Sequence, residues 1–301
     1  MTGAPLRRDV SFVSEGDRCC ASLFLPADLH APAPAVVLAP GLAGVRAARV
    51  EVFGEYLAGV GLVALVFDYR GFGDSAGEPR QLMTVRRQVA DWHSAVTAVR
   101  AMPEVDGRRV ALWGGSITGG HVLRVAAQDP SVAAVVSHVP LVDGFSSAAR
   151  VRPFPWQQLR LLVAGTLDVV GGITGRPPSY IPVVGAPGSL AVLSSPDAEP
   201  DYRAILPNGW DNRIAARAAL SLLTYQPGRS ARRVKCPLLV TLGSHDVITP
   251  PRRAERLLRR APDVEVRWFP VRHFESFADP ASGAMLAEVA QFLTRHLDPY
   301  A

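Results

Sequence analysis

A serine, an aspartate and a histidine, each placed just beyond a strand-like run, are the residues of this 301-residue chain best suited to joint chemistry. Ser116 lies in the segment WGGSITGGH, residues 113–121, after the apolar run 109–114 and before a stretch of helical spacing. Small neighbours let a chain turn sharply at such a point, which holds the central residue in a strained conformation and presents its hydroxyl above a sheet. The amide of Ile117 then points into the same space, and the N-terminus of the following helix favours negative charge. A serine hydroxyl is a weak nucleophile until a base takes its proton, and the base needs an acid to fix its tautomer. Asp246, in the loop SHDVITP after the run 237–243, and His273, in the loop VRHFESF after the run 264–270, supply acid and base. The expected reaction is attack by Ser116 on an acyl carbon, collapse to an acyl-enzyme, and release to water or another nucleophile.

Several competing assignments stand beside this one. Thr118 occupies the position where G-x-S-x-G has its second glycine, so a plain glycine-rich turn with Ser116 as N-cap, or Thr118 itself as nucleophile, remains open. Asp143, after the run ending near residue 139, is a second candidate acid. His121 falls inside the helix after the turn and His138 within a strand, which marks both as structural, and His245 beside Asp246 points the other way along its loop. Asp68 ends a strand, and Arg70 and Asp74 nearby suggest a local ion-pair network. Gly71-x-Gly73 lacks the strand-to-helix setting of a dinucleotide site. The seven histidines are dispersed without metal-ligand spacing. Neither a metal nor a cofactor is required by the expected chemistry.

The elements that must carry these residues alternate. Residues 9–26 read as a hairpin around Glu15-Gly16-Asp17. Apolar strand-like runs follow at 35–39, 62–69, 109–114 and 132–139, separated by helical patterns at 49–60, 84–102 and 117–128. Thr84 is the expected N-cap of the second helix, with Val85, Val89, Trp92, Val96 and Val99 on one face. Unbroken apolar strands imply a parallel sheet covered by helices on both sides. From 144 to 233 the alternation stops: a Gly- and Pro-rich stretch, 171–209, is flanked by helical patterns near 156–170 and 211–225. This region reads as an insertion. Its Phe154, Trp156, Tyr180, Tyr202, Trp210 and Tyr225, with Leu159, Val163, Leu167 and Val170 along one helical face, suit a pocket cover. Strand 237–243, an Arg-rich helix 251–260, strand 264–270 and a last helix with Asp279 as N-cap and Pro280 at its first position complete the chain. The expectation is an α/β fold with a mostly parallel, doubly wound sheet, an N-terminal antiparallel hairpin and a largely helical cap. Residues 1–143 and 234–301 form its core and 144–233 its cap.

With serine, acid and histidine in that order, the chain resembles the α/β-hydrolase family over nearly its whole length outside the insertion. The segment APGLAGVR, residues 39–46, looks like that family's loop after the third strand, and VFDYRGFGDSAGEPR, 66–80, like its fourth-strand loop. The resemblance implies that the backbone N–H of Leu42 joins that of Ile117 as an oxyanion hole, with Pro40 standing where many members have histidine. The GxSxxGGH-like turn and the HF-acidic ending after the histidine look closer to a subgroup related to dienelactone hydrolases and X-Pro peptidases. That subgroup includes esterases, and hydrolases or acyltransferases of polyketide pathways. Arg272 replaces the usual glycine before the histidine, and Glu275 the usual aspartate after Phe274.

Composition narrows the partners. Apolar residues make up 48% and charged residues 20%, which excludes disordered and fibrous classes. The net charge of +5 comes from 32 basic residues that are all arginine except Lys235, scattered without a basic stripe. No nucleic-acid partner is expected. Three cysteines make no disulfide framework, and neither a signal-like N-terminus nor a membrane-length apolar run is evident, so a cytoplasmic protein away from membranes is expected. The partner expected is a small acyl substrate, free or carrier-bound. The functional expectation is a serine esterase or thioesterase acting on a lipophilic acyl group. An acyltransferase or cyclase using the same acyl-enzyme, and a non-catalytic or lyase-like protein of the same fold, are the alternatives.

Overall fold

The computed structural model describes residues 3–29, 31–151 and 155–299. Strands β1 (Leu6–Ser14) and β2 (Asp17–Leu25) form an antiparallel hairpin. Its turn, Glu15-Gly16, has positive φ at both residues, the geometry that matches the twist of paired strands. The chain then alternates through β3 (Ala33–Ala39), α1 (Val50–Gly59), β4 (Val63–Phe67), α2 (Val85–Arg100), β5 (Val105–Gly115), α3 (Ile117–Ala126) and β6 (Ala134–His138). After the segment described below it resumes with β9 (Leu238–Gly243), α8 (Pro251–Leu258), β10 (Val264–Phe269) and α9 (Ala281–Leu297). The eight strands lie in the order β1-β2-β4-β3-β5-β6-β9-β10. From β4 to β10 every neighbouring pair is parallel, and β2 runs antiparallel to both of its neighbours, β1 and β4.

The apolar runs read from the sequence are the buried strands: every residue of β3, β4, β6 and β9 is buried. Such strands need cover on both faces. Helices α2 and α3 pack together on one face, and α1 and α9 together on the other. Thr84 caps α2 as expected, accepting the Arg87 N–H at 3.3 Å, and Val85, Val89, Trp92, Val96 and Val99 are all buried. Because β3, β4, β5, β6, β9 and β10 are parallel, the loops that follow them all leave the same edge of the sheet. The turn after β5 and the loops after β3, β9 and β10 therefore meet.

Between β6 and β9 the described chain adds no strand to this sheet. It forms α4 (Gly144–Val151), α5 (Pro155–Ile173), α6 (Ala198–Ala204), α7 (Ala218–Leu223) and a two-stranded ribbon of β7 (Tyr180–Ile181) with β8 (Ile214–Ala215). Here the structure corrects three expectations. The pattern 211–225 is not one helix: residues 214–215 pair in the ribbon, and helix is confined to α7. On α5 the apolar stripe faces outward, with Leu159, Val163, Leu167 and Val170 all at least half exposed. The buried face is instead Gln157, Leu161, Gly165 and Asp168. Asp168 explains the inversion, because its carboxylate accepts the Arg217 amide at 2.9 Å, the Arg217 guanidinium at 2.7 and 3.1 Å, and the Ser179 amide at 2.8 Å. Finally, Pro280 rather than Asp279 is the N-cap of α9, since the Asp279 carboxylate is engaged by Arg49 and the Ser282 hydroxyl. Phe154 lies outside the described residues.

Candidate active site

The turn after β5 is as tight as its glycines suggest. A Cβ on Gly114 would sit 2.3 Å from the Thr118 carbonyl oxygen, and one on Gly115 2.6 Å from the Phe277 ring. Ser116 between strand and helix has φ +60° and ψ −123°, a conformation that costs a non-glycine residue about 1–3 kcal/mol. It is held by both of its backbone groups: its N–H donates to the His138 carbonyl at 2.9 Å, and its carbonyl accepts the Leu141 N–H at 2.8 Å. Strand β6 thus fixes the hydroxyl that β5 presents.

Thr118, the departure from glycine, is fully buried and useful there. Its hydroxyl donates to the Pro40 carbonyl at 2.6 Å and lies 3.3 Å from the Tyr69 hydroxyl, which accepts Trp92 Nε1–H at 2.8 Å. A chain of donors therefore runs from α2 to the loop after β3. That loop is pinned again at Arg46, whose amide and guanidinium bond Asp68 at 2.6 and 2.9 Å, while Asp74 takes a second guanidinium nitrogen at 2.8 Å. Burial nevertheless raises the Asp68 carboxyl to about 6. The expected network is present with a different partner, since Arg70 bonds Asp91 at 2.5 Å and Glu15 at 2.9 Å.

Three of the singled-out side chains come together. His273 Nε2 lies 2.9 Å from Ser116 Oγ, and its Nδ1 2.7 Å from Asp246 Oδ2. A carboxylate can only accept, so Nδ1 carries the proton and Nε2 is left as the acceptor for the serine hydroxyl. Asp246 is itself fixed: Oδ1 accepts the amides of Ile248 and Thr249 at 2.7 and 2.8 Å, and Oδ2 the Thr249 hydroxyl at 2.8 Å. The His273 loop is set by Ser276, whose hydroxyl donates to the His273 carbonyl at 2.7 Å. Arg272 binds Glu275 through its amide and guanidinium, holding that carboxyl below its ordinary range, and reaches Asp201 of α6 at 3.0 Å.

The other candidates are elsewhere or spoken for. Asp143 accepts from Ser146, Gln226 and Arg253 at 2.9 Å each. His121 bridges Tyr225 and Gln88, His138 bridges Thr241 and the Ser276 carbonyl, and burial pushes both rings down to about 3, so both are neutral. His245 is exposed. Among the described residues no cluster suits a metal ion, and no helix is long and apolar enough to cross a membrane.

Two cavities meet at Ser116. The first is walled by Leu42, Ile117, Leu141, Ala148, Leu222 and Ile248 among others; the second by Gly44, Ala48, Tyr202, Ile205, Phe274 and Phe277 among others. Leu42, Ser116 and Leu193 belong to both, and no charged side chain lines either among the described residues. Of the aromatics expected to cover a pocket, Tyr202 does so: it stacks on Phe274 at 4.7 Å and donates to the Leu42 carbonyl at 2.5 Å. Trp156 and Tyr180 are outward, Tyr225 is taken up by His121, and Trp210 Nε1–H donates to the Ala43 carbonyl. Thr249 and the Tyr202 contact were not anticipated. The first had a signal, a hydroxyl three residues after a loop aspartate, the spacing that lets a carboxylate bond the backbone ahead of it. The second had none, because residue 202 reaches Leu42 across 160 positions.

A doubly wound parallel sheet with a strained serine turn after its central strand, facing a histidine loop after its last, defines an α/β hydrolase. The sequence profile of the family described as serine aminopeptidase, S33, matches residues 30–279, and the chain belongs to this α/β-hydrolase family. Among relatives, it is 37% identical to the quorum-quenching protein AidA of Acinetobacter baumannii, over 97% of this chain and 95% of that one. It is 26% identical to a thiohydrolase of Eupenicillium brefeldianum, over 76% and 75% of the two chains. Its fold is similar to the crystal structure of the α/β hydrolase GrgF from Penicillium sp. sh18, with 25% identity, TM-score 0.82, and 97% and 99% of the chains covered.

Proposed function

We propose that this hydrolase cleaves an ester or thioester of a lipophilic acyl substrate through Ser116, His273 and Asp246. The observation that carries the reading is the unbroken contact from Asp246 Oδ2 through both ring nitrogens of His273 to Ser116 Oγ. As Oγ attacks the acyl carbon, its proton passes to Nε2, and the imidazolium so formed is stabilised by Asp246. The N–H groups of Leu42 and Ile117 receive the developing oxyanion. On collapse the leaving group takes the proton from Nε2 and departs; water, deprotonated by the same nitrogen, then releases the acid.

The cavities support assignments for the two halves of the substrate. Nε2 must protonate the leaving group, so the second cavity, lined by Phe274 and Phe277 of the His273 loop, suits that group. The first cavity, lined by Ile117, suits the acyl chain. Burying a charged amine without a partner is costly, so the uncharged walls favour a neutral lipophilic substrate over a peptide with a free N-terminus. We further assign residues 144–233 to a cap and 1–143 with 234–301 to the core, since Val192, Leu193, Tyr202 and Leu222 contribute walls from that segment.

Mass spectrometry after treatment with a fluorophosphonate tests the nucleophile. A single adduct on Ser116, absent in Ser116→Ala, is expected, and an unlabelled folded protein beside a labelled control hydrolase defeats the proposal. Initial rates on acyl esters and acyl thioesters of graded length then rank the substrate classes.

A further inference from the structure

The acyl cavity carries one polar feature that hydrolysis itself does not use. Ser147, on the second turn of α4, is among its lining residues and is about 95% buried, being 5% exposed. Its Oγ is shielded from solvent and has no hydrogen-bond partner among the described residues. A helical serine ordinarily bonds the carbonyl four residues back. Here the Asp143 carbonyl receives the Ser147 amide at 3.1 Å, and the hydroxyl stays unpaired. The adjacent Ser146 is different, because its hydroxyl donates to the Asp143 carboxylate at 2.9 Å. The remaining unpartnered serine hydroxyls, at 189, 194 and 195, are not on the lining of this cavity.

A buried hydroxyl without a partner is disfavoured, and a serine side chain can turn among three staggered positions to meet one. The side chains of Leu141, Ala148, Leu222 and Leu223, which line the same cavity, are hydrocarbon and can neither donate to the Ser147 hydroxyl nor accept from it. We propose that Ser147 is a specificity-determining residue that hydrogen-bonds an oxygen carried along the acyl chain, a hydroxyl or a ketone. The preferred substrate is therefore an oxygenated lipophilic acyl group rather than a plain alkyl one. This rests on the assignment of the first cavity to the acyl chain. A site with an unpaired buried hydroxyl discriminates against an analogue lacking the matching group, because binding that analogue leaves the hydroxyl unsatisfied.

The test is a set of acyl esters of one length and one leaving group, either plain or bearing a hydroxyl or keto group at successive carbons. Rates are normalised to active sites by fluorophosphonate titration. In the wild type, kcat/KM at one carbon position is expected to exceed the plain chain by about tenfold, the worth of one net hydrogen bond. In Ser147→Ala that ratio is expected to fall to within about twofold of unity, with KM taking most of the change. Comparing wild type with variant cancels the intrinsic effect of the oxygen on ester reactivity. Ser147→Thr keeps a hydroxyl and is expected to keep the positional preference. Hydrolysis with no preferred position, or a preference that survives in Ser147→Ala, overturns the proposal and leaves the hydrolase reading standing. Absence of both hydrolysis and Ser116 labelling defeats the two together.

Discussion

Replacing Asp246 by asparagine probes the proposed mechanism at the point where the geometry is most constrained. Oδ1 accepts two backbone amides, from Ile248 and Thr249, so the carboxamide oxygen must take that position and the NH2 must face His273 and the Thr249 hydroxyl. Thr249 tolerates this, because its hydroxyl is also 3.1 Å from the Val139 carbonyl and can donate there while accepting from the amide. His273 has no such freedom. Facing a donor, Nδ1 must become the acceptor and the proton moves to Nε2, where it blocks transfer from Ser116. The wrong tautomer in such a triad lowers kcat by about four orders of magnitude, roughly 5 kcal/mol of barrier. Two of the four bonds at residue 246 are unchanged and the other two re-form with donor and acceptor exchanged, so the stability loss is expected to stay near ~1 kcal/mol. Steady-state kcat on the best ester, read beside a urea denaturation curve, checks both. Turnover within about tenfold of wild type in a folded Asp246→Asn variant refutes the assignment of this residue as the acid.

Thr118→Val removes the hydroxyl that satisfies the buried Pro40 carbonyl, and kcat is expected to fall about tenfold with little change in KM, as measured by initial rates. Asp143 gives a stability prediction with a defined sign. Burial pushes its carboxyl up, but bonds from Gln226, Arg253 and Ser146 outweigh that and hold it at about 2, below the ordinary 3.8. Its contribution is thus complete above pH 3.8 and is lost as acid titrates it through pH 2, an effect of order 2 kcal/mol. Urea midpoints are expected to fall more steeply with acid in wild type than in Asp143→Asn; parallel curves contradict the assignment. Leu167→Lys, on the outward stripe of α5, is expected to change stability by less than about 0.5 kcal/mol by thermal unfolding, whereas a packed stripe predicts a loss several times larger.

What could be read from the chain divides along physical lines. Buried parallel strands announce themselves because both faces need apolar residues, and β3, β4, β6 and β9 fall within a few residues of the runs that predicted them. Ser116, Asp246 and His273 could be singled out because each follows a strand of the parallel part of the sheet, and strand ends on one edge converge whatever lies between. The intervening segment lacks that constraint. There the packing is decided by Asp168 and Arg217, 49 residues apart, and no local periodicity reveals that pairing. The same limit hid the partner of Asp68: Arg70 is two residues away in sequence, yet Arg46 reaches the carboxylate because the loop after β3 folds over it.

The loop after β3 also bears on how the proposed oxyanion hole is kept in place without a histidine at position 40. Peptide planarity makes a carbonyl and the next amide point in opposite directions. The Gly41 carbonyl accepts the Gly44 N–H at 3.2 Å, which turns the Leu42 N–H to the other side of that peptide. The planes on either side are fixed as well, since Thr118 takes the Pro40 carbonyl and Tyr202 the Leu42 carbonyl. A Cβ on Gly41 would stand 3.7 Å from Ser116 Cβ, so this ordered peptide lies directly against the proposed nucleophile. Donors held in advance need no reorganisation when charge develops, which is the condition for their stabilising a transition state rather than a substrate. The bonds that fix the planes on either side of that peptide come from Thr118 and Tyr202. On the proposed mechanism, the threonine that stands in the turn where the motif has glycine is thus coupled to oxyanion geometry, and its effect is expected in kcat.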